Sequence, residues 1–244
     1  MISTYHRPET LDEALTLLTQ PNTVPLGGGT LLSHPTTDPV SVVDLQRLGL
    51  DSLRINGNEL QIGATCTLQT LLESEHCPEA LKAAIKLEAP INIRNTATVA
   101  GTLVASDGRS TFTVMILAMD AKLTINTPSS TTIGLSEFLL TRPKGLIISI
   151  TVPLNTKLAF EFVSRTPTDK PIIAAALSQW NSGRTRLTLG GYGKNPTLAM
   201  DGTEADGLET AASNAYHEAN DEWASAEYRM DVAATLAKRC LEKV

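Results

Sequence analysis

Two short segments rich in glycine and threonine restrict what this chain can fold into more than any other feature. The first is Pro25-Leu26-Gly27-Gly28-Gly29-Thr30-Leu31-Leu32; the second is Ile93-Arg94-Asn95-Thr96-Ala97-Thr98-Val99-Ala100-Gly101-Thr102. Three consecutive glycines reach positive φ freely and present backbone N–H groups with no Cβ in the way. Successive N–H groups of that kind form a concave nest for a phosphate, which a helix beginning at Leu31 would reinforce. In the second segment Arg94 offers a cation, Asn95 an amide, and Thr96, Thr98 and Thr102 hydroxyls around Gly101. Taken singly, the first is a flexible tight turn and the second a threonine-rich turn between core elements. Facing each other, they could hold a diphosphate, which points to a dinucleotide and in particular to a flavin. Neither is G-x-x-x-x-G-K-S/T or G-x-G-x-x-G, which argues against a triphosphatase loop and a Rossmann fingerprint.

At 244 residues, 42% hydrophobic and 19% charged, the chain can bury a sizeable core in one or two domains. Aromatic residues are only 4%, so Leu, Ile, Val and Ala must build that core. The formal net charge of −6 argues against a nucleic-acid partner. Met1 to Pro8 lack a secretory pattern, and the apolar run Val114–Met119 is far too short for a membrane span. Cys66, Cys77 and Cys240 have no metal-ligand spacing, and their odd number suits a reducing, cytoplasmic compartment.

Periodicity predicts an α+β pattern rather than βαβ alternation. Thr10 followed by Glu13 is a capping box opening a helix through Leu18, with Leu11, Ala14, Leu15 and Leu18 on one face. Residues 40–45 read as a strand, and residues 53–62 as a hairpin around Asn56-Gly57. Helices are predicted over 67–72, 78–87 and 112–119, strands over 121–126 and 147–152, and a polar turn over 128–132. Pro153-Leu154-Asn155-Thr156 is the boundary candidate. Beyond it, 158–164, 172–180 and 185–189 suggest a small meander, followed by polar-faced helices over 207–220 and 225–243.

No self-sufficient catalytic set stands out. His6, His34, His76 and His217 read as surface or capping residues. Asp107-Gly108-Arg109-Ser110 reads as a loop close to any ligand. Asp221, Glu222, Glu227 and Arg229 read as a solvated helix start. Any chemistry is therefore carried by a cofactor.

Taken in order, several further segments complete the pattern. They are Tyr5-His6-Arg7-Pro8, Val43-Asp44-Leu45, Leu60-Gln61-Ile62-Gly63-Ala64, Leu117-Ala118-Met119-Asp120-Ala121, Leu189-Gly190-Gly191 and Ser225-Ala226-Glu227-Tyr228-Arg229. With the two glycine segments, the chain resembles the FAD-binding medium subunit of the molybdenum hydroxylases, the family of xanthine dehydrogenase and carbon monoxide dehydrogenase. The resemblance implies a two-lobed FAD-binding domain of the PCMH type over 1–155, with lobes of about 1–54 and 55–155, then a small α+β C-terminal domain over 156–244. It implies FAD held by Leu26, Gly27, Gly28, Gly29, Thr30, Leu31 and Leu32 from the first segment. From the second region it implies Ala97, Thr98, Ala100, Gly101, Thr102, Val104 and Thr111. The implied partners are a large molybdenum-cofactor subunit and a small 2Fe–2S subunit, with NAD, a quinone or oxygen as acceptor. Leu31 stands where the family carries an acid, Ala100 where it carries Gly, Thr102 where it carries Asn, and Thr111 where it carries Asp. Those four changes motivate the alternative of a flavin-free docking subunit that keeps the fold.

Overall fold

Thr10 opens the first helix as the sequence predicts. In the computed structural model, which describes residues 2–33, 38–127 and 129–244, its Oγ1 accepts from the Glu13 N–H at 3.3 Å, and the Glu13 carboxylate accepts from the Glu9 N–H. This helix, α1 (Leu11–Leu18), packs Ala14 against Val43, Leu45 and Leu146. Around it lie β1 (Ile2–His6), β2 (Thr23–Leu26) and β3 (Val40–Asp44), a parallel sheet in the order β1-β3-β2. β1 and β2 both pair parallel to β3, a local parallel unit within the expected α+β pattern. Ile2 to Tyr5 are exposed, so β1 has no alternating pattern to read. His34 lies outside the described residues.

The second lobe is built on an antiparallel sheet, β4-β5-β8-β6-β7. The hairpin of β4 (Leu53–Asn56) and β5 (Glu59–Gly63) pairs Asn56 with Glu59. Its loop is therefore Gly57-Asn58, one residue on from the predicted turn, with Gly57 at φ 61°. Five helices follow: α2 (Leu68–Glu73), α3 (Glu79–Glu88), α4 (Ile91–Arg94), α5 (Val99–Ala105) and α6 (Thr111–Ala118). All eight residues of α6 are buried, as an apolar sequence on every face requires. The chain continues through β6 (Lys122–Thr127), β7 (Ser129–Gly134), α7 (Leu135–Thr141) and β8 (Leu146–Pro153). The expected turn at 128–132 is instead the edge strand β7, paired to β6 from Ser129↔Thr127 to Gly134↔Lys122; its β-branched threonines suit that role. Pro128 lies outside the described residues.

The last segment forms an antiparallel meander of β9 (Thr156–Val163), β10 (Ile173–Trp180), β11 (Thr185–Gly190) and β12 (Thr197–Gly202), covered by α8 (Leu208–Asn214) and α9 (Ala226–Leu241). β12 is an addition to the three strands predicted. Every residue of β11 is buried, because both its faces are covered. Leu187 and Leu189 join the cluster under α8 and α9, while Arg186 and Thr188 bond to the Leu117 and Val114 carbonyls of α6. Gly190 belongs to the α6 face as well, where a Cβ would fall 2.3 Å from Val114 Cγ2. Arg229, expected on a solvated helix start, is fully buried. Its guanidinium donates to the Ala219 and Ala224 carbonyls and to Asp221, acceptors supplied by the loop that precedes α9.

Candidate functional site

The loop Gly27–Leu32 leaves the carboxyl end of β2, where the Leu26 carbonyl accepts from Leu45 N–H just past β3. Carboxyl ends of parallel strands are where α/β sheets place ligands. Gly29 takes φ 69°, open to glycine without strain. Gly27 and Gly28 serve a different purpose. A Cβ on Gly28 would fall 1.6 Å from the Thr96 carbonyl oxygen, and one on Gly27 would fall 2.7 Å from Thr98 Oγ1. The two segments singled out in the sequence thus meet, backbone against backbone.

The second segment is the start of a helix rather than a loop. Thr98 is the N-cap of α5, its Oγ1 accepting from Gly101 N–H at 3.2 Å. Thr102 Oγ1 donates back to the Thr98 carbonyl. Arg94, expected to present its cation to a ligand, donates instead to Gln69 and to the carbonyls of Lys86 and Ala89 at the end of α3.

Beside this contact lies a cleft of about 440 Å3, within the range of small-molecule sites. Gly27 to Leu32 line one side and Thr98, Ala100, Gly101 and Val104 another. Leu31 is 58% exposed at its edge. Leu26, Ala97, Thr102 and Thr111 lie off the lining. Thr111 is buried at the start of α6, donating to the Ala84 carbonyl and to Glu88. Glu88 itself is buried and caps α6 by accepting from Phe112 N–H; burial raises its pKa. The Asp107–Ser110 loop is also off the lining: Arg109 pairs with Asp221 at 2.7 Å and lies 3.8 Å over the Trp223 ring.

The third wall, Phe138 and Arg142 to Ile147, is not among the residues that the sequence nominates. Its one signal is the cationic turn Arg142-Pro143-Lys144-Gly145 before an apolar strand. A second hollow of about 150 Å3 shares Gly27, Gly28, Thr65 and Thr98 and adds Gln46, Thr67, Asn95 and Thr96. A smaller hollow edged by Gln46, Asn95 and threonines therefore adjoins the cleft across the glycine contact.

Charge and hydrogen bonding favour an anion with an apolar body. Arg142 and Lys144 line the cleft and no Asp or Glu does, in a chain of net charge −6. Among the described residues, the N–H groups of Gly28, Gly29 and Thr30 donate to no protein acceptor. Uncommitted N–H groups, cations without acids and apolar walls fit a dinucleotide. Cys66, Cys77 and Cys240 are buried, and burial pushes each thiol up to about 12, so none is a ready nucleophile. Among the described residues no group of three His, Cys, Asp or Glu side chains could hold a metal, and no helix is long and apolar enough to cross a membrane.

The family model for the FAD-binding domain in molybdopterin dehydrogenases matches residues 1–155. The chain belongs to that family. FAD is accordingly its cofactor class. The chain is 28% identical over 246 residues to protein YgfM of Escherichia coli K12, covering 97% of this chain and 94% of that one. It is 28% identical to the 6-hydroxypseudooxynicotine dehydrogenase complex subunit alpha of Paenarthrobacter nicotinovorans, covering 87% and 82%. The fold matches carbon monoxide dehydrogenase from Hydrogenophaga pseudoflava with a TM-score of 0.82 at 22% identity, covering 100% of this chain and 97% of that chain.

Proposed function

We propose that the chain is the FAD-binding, electron-transfer subunit of a molybdenum hydroxylase-type dehydrogenase. On this reading electrons come from a large molybdenum-cofactor subunit through a small 2Fe–2S subunit, and leave to NAD or a quinone. Residues 1–155 would be the flavin domain, in lobes of about 1–54 and 55–155, and 156–244 the C-terminal domain. A relative that is a subunit of a dehydrogenase complex supports the multi-chain setting, and three buried free thiols accord with a cytoplasmic location.

The observation that carries the reading is the acid-free cleft beside three N–H groups with no protein acceptor among the described residues. Bound FAD supplies the redox chemistry. The N–H groups of Gly28, Gly29 and Thr30 would donate to its phosphate oxygens. Phe138, Leu146 and Ile147 would keep water from the ring system. Lys144 has no ion-pair partner among the described residues and would offer the free cation.

The visible spectrum of the purified chain, followed by acid release of any chromophore, tests this. Oxidised-flavin bands with FAD in the supernatant are expected. A chain that stays colourless after incubation with excess FAD assigns the flavin-free docking role instead.

A further inference from the structure

No residue beyond Ile147 lines the cleft, yet one side chain of the meander segment reaches its frame. Asn195 lies between β11 and β12, half-buried. Its Oδ1 accepts from Arg142 Nη2 at 2.7 Å, and its Nδ2 donates to the Leu139 carbonyl at 3.1 Å. Arg142 in turn donates to the carbonyls of Leu103 and Val104 at 3.1 Å and of Ser106 at 3.4 Å, which close the end of α5. The guanidinium lies 5.4 Å over the Phe138 ring. Arg142 holds φ 43°, unusual for a residue with a Cβ, where it ends α7.

We propose that Asn195 and Arg142 form a staple through which the C-terminal segment sets the position of α5, and with it the affinity of the cleft for its dinucleotide. This rests on the reading of the cleft as a flavin site. The logic is one of engaged charge. Arg142 reaches the cleft, but both of its Nη groups donate to the end of α5 and to Asn195, so it acts as a positioning residue. α5 brings Thr98, Ala100, Gly101 and Val104 to the lining. α5 is short, at seven residues, and a helix of that length has little stability of its own. The carbonyls at its end depend on the guanidinium, and the guanidinium is oriented by an amide from a segment that never touches the ligand.

Full-length Asn195→Ala and Asn195→Asp test the staple by two readouts. The first is the FAD dissociation constant from flavin fluorescence. Asn195→Ala should weaken binding about tenfold, the loss expected for one hydrogen bond to a charged group. Asn195→Asp keeps the acceptor for Arg142 but loses the donor to the Leu139 carbonyl, and should recover only part of the lost affinity. The second readout is hydrogen exchange of the α5 amides without any ligand, which should quicken in Asn195→Ala and less so in Asn195→Asp. Wild-type affinity in Asn195→Ala, or unchanged exchange in α5, overturns the proposal. Failure of the wild-type chain to bind FAD would remove the flavin reading alone, since the exchange measurement still decides the staple.

Discussion

Gly28 shows how one position can answer to two demands. Its N–H has no protein acceptor among the described residues and on the proposed reading serves the ligand, while its missing Cβ is required by the Thr96 carbonyl. Adding one methyl group there must displace backbone, which costs about 1–3 kcal/mol in a packed contact. Gly49 provides the comparison, because it takes φ 65° with nothing near its absent Cβ. Gly49→Ala should cost only the left-handed strain, about 1 kcal/mol. Urea denaturation of the FAD-free chain should therefore rank Gly28→Ala below Gly49→Ala; the reverse order would mean that the two segments do not touch in solution. Arg229 was hidden from the sequence for the opposite reason. Besides Asp221 its partners are the backbone carbonyls of Ala219 and Ala224, and a carbonyl leaves no trace in residue identity.

Several helices open on a residue type that advertises a local hydrogen bond, although α5 is not legible as a helix despite its cap. Thr10, Thr67, Thr98, Ser110 and Ser225 each accept from the N–H three residues on, opening α1, α2, α5, α6 and α9. The same chemistry made Thr98 readable as a ligand hydroxyl when it is a cap. α7 is a seven-residue helix with no side-chain cap at Gly134, and β1 has exposed residues and no alternation, so neither is legible in the sequence. The third wall of the cleft was missed with α7. Tertiary ion networks are equally silent in sequence. Asp201 of β12 receives Arg184 at 2.8 Å and Arg186, and both arginines reach Asp120 beyond α6. The hydrogen bond from Arg184 is the foremost cause that holds the Asp201 carboxyl below its usual range. A depressed pKa contributes stability that is complete above the unfolded value, about 4, and is lost as pH falls through the folded one. Urea midpoints measured from pH 5 downward should fall more steeply for the wild type than for Asp201→Asn. Parallel curves would remove the network from the stability of the fold.

The molecule as a whole is organised around α6, which serves two layers at once. Its buried surface meets the core of the second lobe and also Ala176, Thr188 and Gly190 of the meander. Backbone joins them further: Gly108 N–H donates to Gly193, and Gly191 N–H to Gly108. Expressed alone, residues 1–155 would expose one side of an entirely apolar helix. We expect that fragment to bind a hydrophobic dye and melt without a sharp transition, where the full chain melts in one. A fragment that melts as sharply as the full chain would show the layers to be independent. The shared contact at Gly28 bears finally on ancestry. A lineage that abandoned the cofactor would still be selected to keep glycine there, because the neighbouring backbone demands it. In such a lineage Gly28 would report the packing of the two segments and not the ligand. Lys144, with no ion-pair partner among the described residues, has no such second duty, and drift at that position would be the earlier sign of a discarded ligand.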